Sequence, residues 1–499
     1  MLVVGAGPAG LACALGLARH GLRGQVVDQA SRRPAGTRCS VLWPSTLDAL
    51  ALLGGSVGEL ARQGLPVRRK VFHLGEDSFG HSLAEPDAWW PLPLSLSQDV
   101  TEQVLLADVA RAGVPVRYQQ RAVEARDTAH GVSVAIDGDG GERRIHARWL
   151  VLATGAPSPG SANAVLPNTV LPNTVLPNMG RTSADYPGLR VLQADGRLRG
   201  DAVPPQEEHI FLAKGRHAGF VPLPDGRCRV FLAVPPADAR RAPDPAGVGV
   251  LLNEITRLRF DLDDRGRPWC VVPREDVATV LRAGRRFLVG EAAKVVPLPV
   301  HGLNSGIQDA LNLAWKLAAA RPGADEELLD TYHEERHAAA LATLEHTRRA
   351  LGYGSAADVE GTLLPRIRER KHDVRTGPAA GYQSSAISAD LRGPDGGPRA
   401  GQHMPDIVLR LSDGRNIRVA DTVRGGWTLL AVGADVPPEH TATINAVAVA
   451  APLPSGLYLI RPDGYLGFTG RPADGEALAA YCRRYVASPG QAAATSYIS

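Results

Sequence analysis

The 499-residue sequence predicts an α/β protein with a parallel sheet, an inserted antiparallel sheet and a smaller C-terminal unit. Three observations predict it. The chain opens as strand, glycine turn, helix, strand, the alternation that builds parallel sheets. Segments such as His209 to Ala213 and Cys228 to Val234 alternate in the manner of antiparallel strands. A Gly/Pro/Arg-rich stretch from about 374 to 400 reads as a linker and sets off a last segment of about 100 residues with strands of its own.

Taken in order, Leu2-Val3-Val4 is the first strand and Gly5 to Gly10 the turn. Leu11 to His20, rich in Ala and Leu, reads as a helix with Gly21 in the place of a C-cap. Gln25 to Asp28 is the second strand. Residues from about 67 to 97, rich in proline and aromatics around Trp89-Trp90-Pro91, read as strands and loops outside the first sheet. Asp99 to Ala112 is helical by its apolar spacing. Val116 to Val123 and Val132 to Ile136 read as strands, closing with Trp149 to Ala153. Val165 to Asn178 repeats VLPNT almost three times. That period suits neither helix nor strand, and each proline removes a backbone donor. The repeat reads as a surface connector, with a substrate lid as the alternative. An antiparallel sheet is expected from about 181 to 280, then a buried strand at Phe287-Leu288-Val289. A helix from Gly306 to Ala320 and a long one from Glu326 to Tyr353 follow. The last segment has strands at Trp427 to Val432 and Leu457 to Ile460 and a final helix from Glu476 to Val486.

Composition narrows the function classes. Lys and Arg number 55 against 52 Asp and Glu, so no excess of one sign points to nucleic acid or an anionic membrane as partner. The five cysteines (Cys13, Cys39, Cys228, Cys270, Cys482) are scattered and show no CxxC spacing. That argues against a disulfide framework or a zinc site and fits a reducing cytoplasm. No apolar run is long enough for a membrane span, and no basic leader precedes the first strand.

The turn Gly5-Ala6-Gly7-Pro8-Ala9-Gly10 carries the chemistry. In GxGxxG between a strand and a helix, Gly5 permits the tight turn and Gly7 lets backbone approach a pyrophosphate. Gly10 lets the helix pack on the strand. The helix N-terminus, where Pro8 and Ala9 stand, adds partial positive charge and, beyond Pro8, free N–H groups. An acid is expected about 20 residues on, at the end of the second strand, to bind a ribose, and Asp28 stands there.

At this point a resemblance becomes specific. GAGPAGLACALGLARHG with VVDQ, Arg38 with PSTLDALALLG, SQDVTEQVLLADVARAGVPVRY, and GEAAKVVPLPVHGLNSGIQDALNLAWKLA with LDTYHEERH together cover most of residues 1–353. They resemble the FAD-dependent aromatic-ring hydroxylases of the para-hydroxybenzoate and phenol hydroxylase type, most of all the actinomycete polyketide hydroxylases. RAGQHMPDIVL and LYLIRPDGYLGF resemble the thioredoxin-like domain at the C-terminus of several members, a domain without a redox CxxC, and Cys482 stands alone there.

The resemblance implies a Rossmann-like FAD-binding domain over 1–70, 98–180 and 281–353, with a substrate-binding sheet domain over 71–97 and 181–280. A helical or linker segment over 354–398 and a thioredoxin-like domain over 399–499 complete it. It implies that Asp28 with Gln29, Arg38, Gln98 and Val123 meet FAD, Arg38 at the pyrophosphate. In the second motif it implies Gly290 and Glu291 at the ribityl chain. Gly302, Leu303 and Asn304 then open a helix whose dipole faces the reduced flavin's N1/O2 edge. His301 is a candidate acid/base or flavin-gating group, or alternatively a solvent-exposed loop residue, and Pro297 lies in the same loop.

Departures from the pattern cluster at these positions. Glu291 stands for the family's Asp, Lys294 for its His, and the flavin loop is shortened to Pro297 to Gly302. Thr154-Gly155-Ala156-Pro157-Ser158-Pro159-Gly160-Ser161 replaces the family's DG motif. The implied activity is FAD- and NADPH- (or NADH-) dependent monooxygenation. O2 is the co-substrate, and a flavin C4a-hydroperoxide hydroxylates a small, polyketide-like phenol. Baeyer–Villiger oxygenation of a ketone, or a scaffold retained as a non-redox binding module, stay open. A homodimer and no metal are expected.

Overall fold

The computed structural model describes residues 1–30, 41–155, 179–199, 204–213, 215–242, 244–262, 268–297, 301–320, 326–352, 381–393, 396–423, 425–435 and 444–486. Arg38, Cys39 and the VLPNT repeat lie outside them.

Leu2–Val4 is the centre of a six-stranded sheet. It pairs in parallel with Gln25–Val27 on one side and Leu150–Leu152 on the other. Val116–Arg117 and Arg286–Leu288 extend the sheet, and Arg282–Ala283 adds an antiparallel edge. Leu2–Val4, Leu150–Leu152 and Arg286–Leu288 are buried along their length, as a parallel sheet covered on both faces requires. Helix α1 (Pro8–Arg19) follows the first strand and buries every residue from Gly10 to Leu17. It is a core helix wedged between the helices Gln98–Arg111 and Gly302–Ala319.

The segment 116–123 is not one strand. Gln119 has φ 56, and its N–H is drawn to the Ala30 carbonyl. The break leaves Val116–Arg117 in the parallel sheet and starts Gln120–Thr128 in an antiparallel sheet with Gly131–Gly138 and Arg143–Ala147.

The second large sheet has eight strands. Arg190–Leu198, Glu207–Ala213, Arg216–Pro222 and Cys228–Val234 pair antiparallel, whereas Arg69–Leu74 joins Glu207–Ala213 in parallel. The two ends of 181–280 depart from this sheet. Arg181–Asp185 and Arg274–Ala278 pair with each other, and Arg274–Ala278 also with Lys294–Val295. Strand alternation gives the eight-stranded sheet two apolar faces. Ala218, Phe220, Val230 and Leu232 pack on Val248, Leu251 and Leu252 of the helix Pro245–Thr256. Val221 points the other way, toward Val41 and Trp43.

The C-terminal sheet has seven strands, with Thr428–Val432, Gly456–Ile460 and Leu466–Gly470 fully buried. Ala389–Asp390 is its edge strand, paired with Leu466–Gly470. Residues 381–393, expected within a linker, therefore belong to this unit. Tyr382 and Ile387 are buried in it because they complete its packing. The unit shares a core with the first domain. Trp315 and Leu328 pack among Trp427, Leu459, Phe468 and Tyr481. Each such apolar residue stabilises by about 1.5–3 kcal/mol when fully buried. Beside them lies a buried network of Lys316, Glu335, Arg461 and Asp463. Because a buried ion pair roughly breaks even against apolar residues of its size, the apolar contacts supply the adhesion and the network fixes the geometry.

Candidate functional site

In chain order the helices up to residue 352 are α1, α2 (Pro44–Leu52), α3 (Val57–Gln63), α4 (Gln98–Arg111), α5 (Pro236–Arg240), α6 (Pro245–Thr256), α7 (Gly302–Ala319) and α8 (Glu326–Gly352), of which α1, α2, α4 and α7 carry site residues.

Gly5 holds φ +110, a conformation L side chains rarely adopt, and a Cβ there would overlap the Ala153 carbonyl. A Cβ on Gly10 would overlap the carbonyl of Gly5, whereas one on Gly7 would meet nothing within 4 Å. The turn is thus closed on the sheet side and open at Gly7. No side chain caps α1, and Pro8 sits in its first turn. Asp28 Oδ2 accepts the Ala6 N–H at 2.6 Å and Oδ1 the Ala30 N–H at 2.8 Å. The acid thereby braces the glycine turn and keeps lone pairs for a ribose. Gln29 beside it is exposed.

The second motif meets the first. After Arg286–Leu288, Gly290 turns at φ +62; a Cβ there would lie 2.8 Å from the Ala9 Cβ. A Cβ on Gly306 would lie 3.1 Å from both the Ala9 Cβ and the Gly290 Cα. The start of α1, the Gly290 turn and the start of α7 therefore touch. Glu291 follows, half-buried. Its Oε2 is 3.9 Å from the Cβ position of Gly155 and its Oε1 3.7 Å from that of Gly302. Its carboxylate lies between Gly155, three residues beyond the strand Leu150–Leu152, and the first residue of α7, so the longer side chain still reaches the cleft.

Asn304 clamps the site to α2. Its Oδ1 accepts the Trp43 N–H at 3.0 Å, and its Nδ2 donates to the Val41 carbonyl at 2.9 Å. Leu303 is half-buried against the main core. His301 is buried rather than water-exposed, its ring 6.3 Å from Trp43 and 5.6 Å from His346. Burial first, then His346 and Lys70, push its imidazole down to about 3, away from the operating range expected of it. His301 is therefore a neutral imidazole near neutral pH. Pro297 is buried at the end of the loop. Gln98 opens α4 half-buried and donates to Glu102 at 2.8 Å, and Val123 is half-buried in Gln120–Thr128.

The eight-stranded sheet closes the other side. Val41, Trp43 and Val221 form one buried cluster with Phe231 packed on it. Phe231 lies over Gly219, where a Cβ would overlap its ring. Lys70 pairs with Glu208 at 3.1 Å on the same face. The buried Trp43 Nε1 has no hydrogen-bond partner. A glycine turn open at Gly7, a carboxylate between two glycines and an orphan indole donor beside an aromatic floor fit a phosphate-bearing planar cofactor and an aromatic ligand.

Sequence reasoning missed the residues behind the cleft. Asp309 accepts the Gly290 N–H at 3.1 Å, the Lys294 ammonium, and Arg336 Nε at 2.7 Å. The signal was present in GIQDA and HEERH, but it names no partner. His333 and His337 also stand at HExxH spacing, their rings 4.9 Å apart. Among the described residues no group of three metal-binding side chains forms.

Comparison with known proteins agrees with this geometry. A flavin-dependent monooxygenase of Mycobacteroides abscessus is 28% identical over 94% of this chain and 96% of its own. The 6-methylpretetramide 4-monooxygenase of Streptomyces rimosus is 29% identical over 94% of this chain and 90% of its own. The solved anhydrotetracycline hydroxylase of Streptomyces rimosus superposes with TM-score 0.74 at 25% identity, covering 98% of this chain and 99% of that one. The FAD binding domain family matches residues 1–347, a span that runs from the glycine turn through α7 into α8. Since every piece of the cleft falls inside that span, this chain belongs to the FAD binding domain family.

Proposed function

We propose that this chain is an FAD- and NAD(P)H-dependent monooxygenase that hydroxylates a fused-ring phenol of the polyketide kind. The observation that carries it is the contact of Ala9, Gly290 and Gly306 beside the Trp43–Phe231 face. It supports a reading in which a dinucleotide and a flat aromatic ligand lie together along these residues. Relatives named for 6-methylpretetramide and anhydrotetracycline support the substrate class.

When bound, FAD would supply the redox chemistry, taking a hydride from a nicotinamide and passing one atom of O2 to the ring while the other leaves as water. The protein positions and shields. Gly5, Gly7, Pro8, Ala9 and Gly10 present backbone to the pyrophosphate, and Asp28 takes a ribose hydroxyl on its spare lone pairs. Gln29, Arg38, Gln98 and Val123 are assigned to the same dinucleotide end. Glu291 beside Gly290 accepts from the ribityl chain. Gly302, Leu303 and Asn304 turn the start of α7 toward the flavin's N1/O2 edge, where a helix N-terminus stabilises negative charge. His301, neutral, lines the ring with Pro297 behind it, and packs and gates rather than moving protons. Trp43 Nε1 donates to a carbonyl or phenolic oxygen of the substrate, and Phe231 supports its rings. The buried residues around the groove exclude water. The C-terminal unit is read as thioredoxin-like and structural, the assembly as a dimer and the compartment as the cytoplasm.

The test is the visible spectrum of the purified protein with and without NADPH, then NADPH oxidation with a panel of fused-ring phenols and mass analysis of the products. A yellow protein whose NADPH oxidation an aromatic stimulates, with a product one oxygen heavier, is expected. A lactone would give the reaction to Baeyer–Villiger chemistry, and a colourless protein that cannot take up FAD would end the proposal.

A further inference from the structure

We propose that Lys294 and Arg336, both bound to the single carboxylate of Asp309, hold one unbalanced positive charge beside the second cofactor turn, and that this charge raises the reduction potential of bound FAD.

The three side chains are almost wholly buried. Asp309 Oδ2 takes the Lys294 ammonium and the Gly290 N–H, and Oδ1 takes Arg336 Nε. Arg336 Nη1 donates to the Tyr382 hydroxyl at 2.7 Å, and Nη2 reaches Ser305 at 3.4 Å. Tyr332, packed beside them, donates to the Leu288 carbonyl at 2.6 Å and adds no charge. The neighbouring network sets Lys316 and Arg461 against Glu335 and Asp463, two charges against two. Among the described residues two cations therefore face one carboxylate in the first cluster, leaving a charge of one. The Lys294 ammonium is held below its ordinary value: burial lowers it most, Asp309, within hydrogen-bond reach, opposes that, and Arg336 beside it lowers it further.

The position of this charge matters. Asp309 grips Gly290, and Gly290 touches Ala9 and Gly306 at the junction of the two motifs. Water is excluded there, so the charge is weakly screened. Glu291 bears the opposite sign but is half-exposed and screened by solvent. A hydride from a nicotinamide, two electrons and one proton, converts the neutral flavin ring into a monoanion. A fixed positive charge binds that monoanion better than the oxidised ring. The inference rests on FAD occupying the cleft proposed above.

The test uses full-length protein carrying FAD. The two-electron midpoint is measured with xanthine oxidase and a reference dye in wild type and in Lys294→Met, which leaves the Asp309–Arg336 pair neutral. The preference for reduced over oxidised FAD is expected to fall about tenfold in K294M, or roughly 30 mV for a two-electron couple. Sulfite, whose flavin adduct is also anionic, should bind the variant correspondingly less tightly. An unchanged midpoint in FAD-bound K294M overturns the assignment while leaving the cofactor reading intact. So does a wild-type midpoint at or below that of free FAD, a result that needs no folded variant. Wild-type protein that cannot hold FAD overturns the cofactor reading and this assignment together.

Discussion

Gly290 donates its backbone N–H to Oδ2 of Asp309 at 3.1 Å, across nineteen residues of chain. The bond ties the second cofactor turn to the third turn of α7. Through Arg336 and the Tyr382 hydroxyl it reaches the C-terminal unit. The cleft is held from behind by buried charge, and its front is lined by backbone and small residues.

The two glycines of the first turn should separate stability from binding. In Gly10→Ala the new Cβ overlaps the Gly5 carbonyl, and overpacking of this kind costs about 1–3 kcal/mol. In Gly7→Ala it meets nothing within 4 Å. Denaturant melts should show G10A destabilised and G7A close to wild type. FAD titration should nevertheless show G7A weakened by tenfold or more, because the methyl enters the space a pyrophosphate would use.

Asn304→Leu keeps the volume and removes the bonds to Trp43 and Val41. Each lost buried partner costs about 1–3 kcal/mol. The variant should melt earlier and release FAD more readily, read by flavin fluorescence during heating. A melt and an FAD affinity like those of wild type would show that the clamp carries no weight.

His301 makes stability depend on acid. Its folded-state value of about 3 lies below an unfolded value near 6.5. Between these limits the unfolded chain binds a proton that the folded chain does not, so stability falls as pH falls from about 6.5 toward 3. His301→Gln should flatten that dependence by about one proton. Urea midpoints from pH 7 to 4.5 check it. The pH–rate profile of the active enzyme should have no limb assignable to His301.

Glu335 is the hinge of the interdomain network. Burial alone would raise its carboxyl, but Arg461 and Lys316 outweigh burial and hold it below the usual carboxylate range. Glu335→Gln leaves the buried Lys316 and Arg461 facing Asp463 alone, and an uncompensated buried cation costs about 3–5 kcal/mol. Trp315 belongs to the shared core and bonds Asp463 at 3.0 Å. Tryptophan fluorescence and flavin release should therefore shift together in E335Q. Two separate transitions would show that the units unfold independently.

Much of this could be read in the residues. Gly5 to Gly10, Asp28, Gly290, Glu291 and Asn304 lie at one junction because their order of strand, turn and helix is local and each step has its own chemistry. The break within 116–123 is not legible in the sequence, because nothing in composition marks Gln119 as the residue with positive φ. Residues 381–393 read as linker because the glycines and prolines around them look like connector sequence. Only their contacts with Leu466–Gly470 make them a sheet edge.

The sequence alone determined the fold class and the pieces of the cleft, since periodicity and turn chemistry act over a few residues. Tertiary structure decided the partners: that Asp309 serves Gly290, Lys294 and Arg336, that His301 is buried and neutral, and that Trp43 faces Val221. These pairings join residues remote in the chain, and their energies come from burial and geometry that exist only once the segments are packed.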